Sequence, residues 1–167
     1  LLKENNFLMD LSSIPRDVVK KAKIMWVNYP NNPTGAVATK EFFKEVIDFG
    51  HDNNVIIASD ECYSEIYFKE RPHSILEYSR EGIVVFQSLS KRSAMTGYRV
   101  GWVAGDERII SAFRKLKPNI DSGTATFIED AAGAALRDEI HVEKMRNDYK
   151  KKAEILVDAF TSIGLEN

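Results

Sequence analysis

A chain of 167 residues has the length for one domain with a sizeable core, and its 44% apolar and 29% charged shares are those of an ordinary globular protein. The net charge of −2 offers no basic field for nucleic acid or an anionic membrane surface. One cysteine, Cys62, excludes an internal disulfide framework, no spaced His/Cys cluster suggests a metal, and no apolar run approaches the roughly 18 residues of a membrane span.

Residues 1–23 are polar and irregular, with Ser12-Ser13-Ile14-Pro15 predicting a short helix to about Lys23, capped by serine with proline in its first turn. Ile24-Met25-Trp26-Val27 is a continuous apolar run, the pattern of a strand buried on both faces of a parallel sheet. It breaks at Asn28-Tyr29-Pro30-Asn31-Asn32-Pro33-Thr34-Gly35, whose prolines and glycine continue neither strand nor helix. Such a loop at a strand's carboxyl end is where open α/β sheets bind ligands, and equally what a plain strand-to-helix turn uses. Thr39 predicts a helix cap. Phe42, Phe43, Val46, Ile47 and Phe49 then form one apolar stripe of a helix that Asn53-Asn54 ends.

Val55-Ile56-Ile57-Ala58 predicts a second buried strand, which delivers Asp60, Cys62 and Tyr63. A carboxylate there needs a turn to cap or a positive partner to meet. Tyr63 also reads as a packed aromatic, and Cys62 as a small buried hydrophobe. Residues 64–82 read as a surface excursion with one short helix, Ser74 to Tyr78, and a solvated His73. The third strand, 83–86, runs into Ser88-Leu89-Ser90-Lys91, with Arg99 eight residues on. Arg99 to Gly105 predicts a fourth strand, whose short link back makes it antiparallel.

Asp106 caps a helix over Ile109, Ile110, Phe113 and Leu116 that Pro118 stops, and an alanine-rich helix follows from Phe127 to about Leu136. A long helix is expected from about His141 to Ile163. Val142, Met145, Tyr149, Ala153, Leu156 and Phe160 are its buried stripe, and Lys144, Arg146, Lys150, Lys151 and Lys152 its solvated face. With no signal peptide at its start, the chain is expected in the cytoplasm. Because it begins at Leu1 and stops at Asn167 just after an amphipathic pattern, it is expected to be a piece of a longer protein.

The strand–helix alternation predicts an α/β domain with strands near 24–28, 55–59, 83–87 and 99–104. Right-handed crossovers set the first three side by side with their carboxyl ends on one edge. The Asn-Pro loop, the Asp60/Tyr63 turn and the Ser/Lys loop therefore emerge on one ledge. Lysine forms Schiff bases with carbonyl compounds. Ser88, Ser90 and Arg99 are the residue types that hold a phosphate. A lysine beside a phosphate cup suits pyridoxal phosphate, although each stretch alone is also a plain turn or cap.

Taken together, Asn32-Pro33-Thr34-Gly35, Asp60-x-x-Tyr63 and Ser88-x-Ser90-Lys91 with Arg99 resemble the class I/II pyridoxal-phosphate-dependent aminotransferases of fold type I. The likeness covers nearly the whole chain, and within the family only the middle and later part of the large domain. It implies a three-layer α/β/α arrangement around a mostly parallel sheet with one antiparallel strand. Residues 1–140 would be part of the large cofactor-binding domain, and 141–167 a helix leading toward a smaller one. The resemblance also implies transamination between an amino acid and an α-keto acid, with Lys91 forming the Schiff base and moving the proton. Asp60 would face the pyridine nitrogen, Tyr63 and Asn32 the ring's phenolic oxygen, and Ser88, Ser90 and Arg99 the phosphate. It further implies a homodimer and a cis Asn32–Pro33 peptide.

Other groups of the family's site, a ring-stacking aromatic and a substrate-carboxylate arginine, have no counterpart in this stretch. Overall likeness leans toward the aspartate-type and LL-diaminopimelate branches. Rival readings are a carbon–sulfur lyase or acyl-transferring synthase of the same fold type, and a non-catalytic regulatory module. Keto-acid-dependent amino transfer separates the first reading from these.

Overall fold

A computed structural model describes residues 1–165; the last two residues of the expected segment 141–167 lie outside the described residues. A first short helix, α1 (Arg16–Lys21), has Pro15 as its N-cap, without a side-chain cap bond. The serines expected to cap it sit instead in a preceding 3-10 turn, Leu11–Ser13, that Asp10 caps. Proline's fixed φ puts it at the helix boundary, and Asp10 reaches the Ser12 N–H first.

Strand β1 (Ile24–Asn28) leads through the Asn-Pro loop to α2 (Lys40–Asn53). Thr39 accepts the Phe42 N–H at 3.1 Å, and Asn54 closes the other end in the left-handed conformation. Next come β2 (Ile56–Asp60), the 61–82 excursion, β3 (Ile83–Ser88) and the single turn α3 (Leu89–Arg92). Within the excursion, Ser74 and Glu77 form a capping box on a 3-10 turn, Ile75–Glu77. His73 is exposed, as expected, and paired with Glu77 at 2.7 Å.

The sheet order is β1-β2-β3-β4, with β4 spanning Gly101–Gly105. The first three strands are parallel and the last is antiparallel, as the short link from Lys91 requires. Register sets Asn28 opposite Asp60, and Asp60 opposite Phe86. Ser88 lies two residues further on, facing Gly101. A Cβ on Gly101 would lie 2.3 Å from the Gln87 carbonyl, so only glycine allows β4 to meet β3 there.

One sheet face carries the core. Phe42, Phe43, Val46 and Ile47 of α2 pack on Val27, Ile57, Ile83 and Val85, each fully buried aliphatic or aromatic side chain stabilising by about 1.5–3 kcal/mol. The other face departs from expectation at β1: Ile24 is 53% and Trp26 58% exposed, so this strand is not buried on both faces. Its apolar run is continuous because two different faces are apolar, and only one is covered here. Trp26 rests on Phe86, ring centroids 4.9 Å apart.

Beyond β4 lie α4 (Glu107–Leu116), α5 (Pro118–Asp121), α6 (Thr126–Arg137) and α7 (Ile140–Ser162). Asp106 caps α4, accepting the Arg108 N–H at 2.8 Å, and takes the Gly82 N–H at 2.8 Å. The Arg108 guanidinium and these N–H groups hold its carboxyl well below the usual carboxylate range. In α7 the expected stripe is buried only at its start. Val142 is fully enclosed, whereas Leu156 and Phe160 are half exposed, and Arg146 is drawn inward instead of lying on a solvated face.

Candidate active site

The Asn-Pro loop is laced by two asparagine side chains. Asn28 Oδ1 accepts the Asn32 N–H at 3.1 Å, and Asn28 Nδ2 donates to the Asp60 carbonyl at 3.1 Å. Asn31 Oδ1 accepts from the Thr34 hydroxyl at 2.7 Å, while the Asn31 N–H reaches the Ala36 carbonyl at 2.8 Å. Gly35 takes φ +73°, a conformation β-carbons resist. The Asn32–Pro33 peptide is cis as expected, and Tyr29–Pro30 is cis as well. This lacing presents Asn32 outward, where its Nδ2 donates to the Tyr63 hydroxyl at 3.0 Å.

Asp60 ends β2, and its Oδ1 accepts the Cys62 N–H at 3.1 Å, which shapes the turn. Among the described residues no cation pairs with Asp60, although burial makes an unpaired carboxylate costly. Beneath it, Glu61 is 1% exposed; its Oε1 accepts from Ser59 Oγ at 3.1 Å and the Ile75 N–H at 3.0 Å. Burial pushes the Glu61 carboxyl up. Burial, with the Asp60 carboxylate beside it, pushes the half-buried Cys62 thiol up to about 12, so it stays protonated at neutral pH. Glu61 anchors the excursion that follows Tyr63, a role that sequence reading missed. The signal was there: a carboxylate directly after a buried strand needs donors nearby.

The lysine turn starts where β3 stops. Ser88 Oγ accepts the Ser90 N–H at 3.1 Å and caps α3, so that its own O–H remains free to donate. Lys91 Nζ lies over the Tyr63 ring, 5.3 Å from its centroid. The Thr96 hydroxyl donates to the Ser90 carbonyl at 3.3 Å, and Leu89 N–H bonds Val100 O at 3.2 Å, folding the loop back onto α3. Arg99, at φ +53°, is exposed and donates one N–H to Thr96 O at 3.0 Å.

Contacts therefore join Asn32, Tyr63 and Lys91, and Asn28 ties Asp60 to the same loop. Ser88 and Ser90 share the turn of Lys91. Arg99 stands at the end of that loop without a hydrogen bond to either serine, and among the described residues its side chain bonds only Thr96 O. Beside Asn32 and Tyr63 opens a cavity of about 1010 Å³ lined by Val37, Ile66, Tyr67, Phe68 and Arg71 among others. The donor set fits pyridoxal phosphate: an unpaired carboxylate suits a protonated ring nitrogen, and hydroxyls with an open guanidinium suit a phosphate. Among the described residues no group of metal-ligating side chains gathers, and no helix is long and apolar enough to cross a membrane.

Residues 1–167 match the family described as Aminotransferase class I and II. An LL-diaminopimelate aminotransferase of Aquifex aeolicus is 48% identical over 99% of this chain and 44% of its own length. One from Dehalococcoides mccartyi is 46% identical with the same coverage. Among solved structures, an aminotransferase from Neisseria meningitidis superposes with a TM-score of 0.88 at 38% identity, over 94% of this chain and 42% of that one. A Thermus thermophilus aspartate aminotransferase superposes with a TM-score of 0.89 at 27% identity, over 99% and 44%. The chain thus spans less than half the length of these relatives.

Proposed function

The chain belongs to the class I and II aminotransferase family, and on that premise we propose that the full-length protein moves an amino group between an amino acid and an α-keto acid, using pyridoxal phosphate. The observation that carries this reading is the meeting of three loops: Lys91 Nζ over Tyr63, whose hydroxyl takes the Asn32 amide at 3.0 Å, on the strand edge that holds Asp60.

Asp60 would hold the ring nitrogen, its carboxylate favouring the protonated form. Tyr63 and Asn32, already hydrogen-bonded to each other, would orient the ring's oxygen substituent from one side. Ser88, Ser90 and Arg99 would hold the phosphate. Lys91 would hold the cofactor's aldehyde carbon and, with its amine free, move a proton at the substrate's α-carbon. The cofactor, when bound, supplies an electron sink for the pair that the departing α-proton leaves behind.

Residues 1–140 would form part of the cofactor-binding domain, and α7 the exit toward further polypeptide. A cytoplasmic homodimer is proposed for the full-length protein. LL-diaminopimelate is the amino donor to try first, since relatives 42–48% identical carry that name.

The test is made on the full-length protein. Pyridoxal phosphate is added, the complex is reduced with borohydride, and the modified peptide is mapped. Label on Lys91, lost together with at least about 10³-fold of turnover in Lys91→Ala, supports the assignment. Full activity without Lys91 would be fatal to it. Amino transfer that depends on an added α-keto acid separates this reading from a lyase, which needs none.

A further inference from the structure

We propose that the first two turns of α7 are a yoke that holds the lysine turn and the tyrosine turn in mutual register, with Arg92 and Arg146 as its positioning residues. This rests on the reading of Lys91 and Tyr63 given above. Arg92 directly follows Lys91, yet its side chain runs away from the ledge and is buried, 8% exposed as a residue. Its Nη1 donates to the Ala135 carbonyl in the last turn of α6 at 2.9 Å, and its Nη2 bonds and pairs with Glu139, the N-cap of α7. Seven residues on, about two turns further along, Arg146 reaches the tyrosine turn. Its Nε donates to the Glu65 carbonyl at 3.1 Å, its Nη2 lies 3.6 Å from the Glu65 carboxylate, and its guanidinium stacks 4.0 Å from the Tyr67 ring centroid. Glu65 is two residues past Tyr63, and Tyr67 lines the cavity beside it.

Between the two clamps Val142 is completely buried, so this part of α7 is seated rather than lying free. The buried Arg92 forfeits its hydration and needs its hydrogen bonds to be stable there, while the partly exposed Arg146 is held by its Glu65 bond and its stack on Tyr67. Helix α7 has 23 residues, about 34 Å at the usual rise, and beyond Tyr149 its apolar side chains face outward. A stiff rod is thus fixed at one end to both site turns while its other end extends away from them. Displacement of the far end shifts Lys91 and Tyr63 together, and loss of one clamp loosens the turn held by the other.

Amide hydrogen exchange on the full-length protein tests this. Arg146→Ala is expected to speed exchange about fivefold or more in 61–68, which Arg146 touches, and also in 88–93, which it does not. Glu139→Ala, at an exposed carboxylate, is expected to do the converse. Change confined in each variant to its own turn overturns the yoke. Where Arg146→Ala fails to fold, Arg146→Lys keeps the charge while losing the stack and the Nε bond, and it carries the same expectation. In the pyridoxal-phosphate-loaded protein, both variants should shift the pH midpoint of the cofactor's absorbance, which a merely structural loss would leave in place; an unchanged midpoint overturns the positioning role. A parent protein that takes no borohydride-fixed label on Lys91 refutes the assignment of the site, while the exchange pattern still decides the yoke.

Discussion

Glu61 shows how one side chain organises the ledge without facing it. Its carboxyl is raised by burial and receives the Ile75 N–H and the Ser59 hydroxyl. A raised carboxyl binds its proton more tightly in the folded chain than in the unfolded one. The stability it contributes is therefore full below the ordinary value near 4.3 and is lost as pH rises through the raised one. Glu61→Gln keeps an acceptor for both donors and removes the charge. Its urea midpoint should match the parent's at acid pH and gain on it toward neutrality; a difference independent of pH would show that burial does not perturb this group. Asp106 works in the opposite sense, since its lowered carboxyl supports the fold above the usual carboxylate range and loses that support as pH falls through and below it.

Among the elements, α2 illustrates what amphipathic spacing encodes. Thr39, Phe42, Phe43, Val46, Ile47 and Asn54 were legible in sequence as cap, stripe and stop because each acts within about one turn of its own position. The two ends of that scale differ in magnitude. Phe43→Ala empties a site that is 0% exposed and should cost about 3–5 kcal/mol, whereas Thr39→Ala loses one cap bond and about 1 kcal/mol. Urea denaturation of the two variants checks the ranking, and equal midpoints would mean that the core relaxes around the lost ring. In α7 the same periodic reading held at the start of the helix, where Val142 is buried, and not beyond it. A helix with apolar residues on one face does not say which stretch of that face is covered, and Arg146 left the polar face because Glu65 and Tyr67 lay within reach.

At the scale of the whole molecule, the sheet has one filled face and one on which Ile24 and Trp26 are more than half exposed. Aromatic and branched side chains in that number on a sheet face call for a cover, and the relatives have more than twice the length of this chain. In the full-length protein carrying Trp26 as its sole tryptophan, with every other tryptophan replaced by phenylalanine, its emission should be shielded from acrylamide. Quenching like that of a free indole would show that the face stays open to water. The same open face explains why β1 misled: an apolar run at every position reports that both faces are apolar, not that both are covered.

The sequence by itself determined the alternation of strands and helices, the antiparallel last strand and the Asn-Pro, Asp-Tyr and Ser-Lys turns, because periodicity, capping and turn chemistry act between residues near in the chain. It also brought those turns to one ledge, since parallel strands with right-handed crossovers share an edge. Tertiary structure alone decided that Lys91 lies over Tyr63, that Asn28 ties Asp60 to the loop, that Arg92 bonds the Ala135 carbonyl of α6, and that Arg146 of α7 bonds the Glu65 carbonyl. Those contacts join residues between 28 and 81 positions apart. Which donor meets which acceptor over such separations depends on packing that no local pattern records.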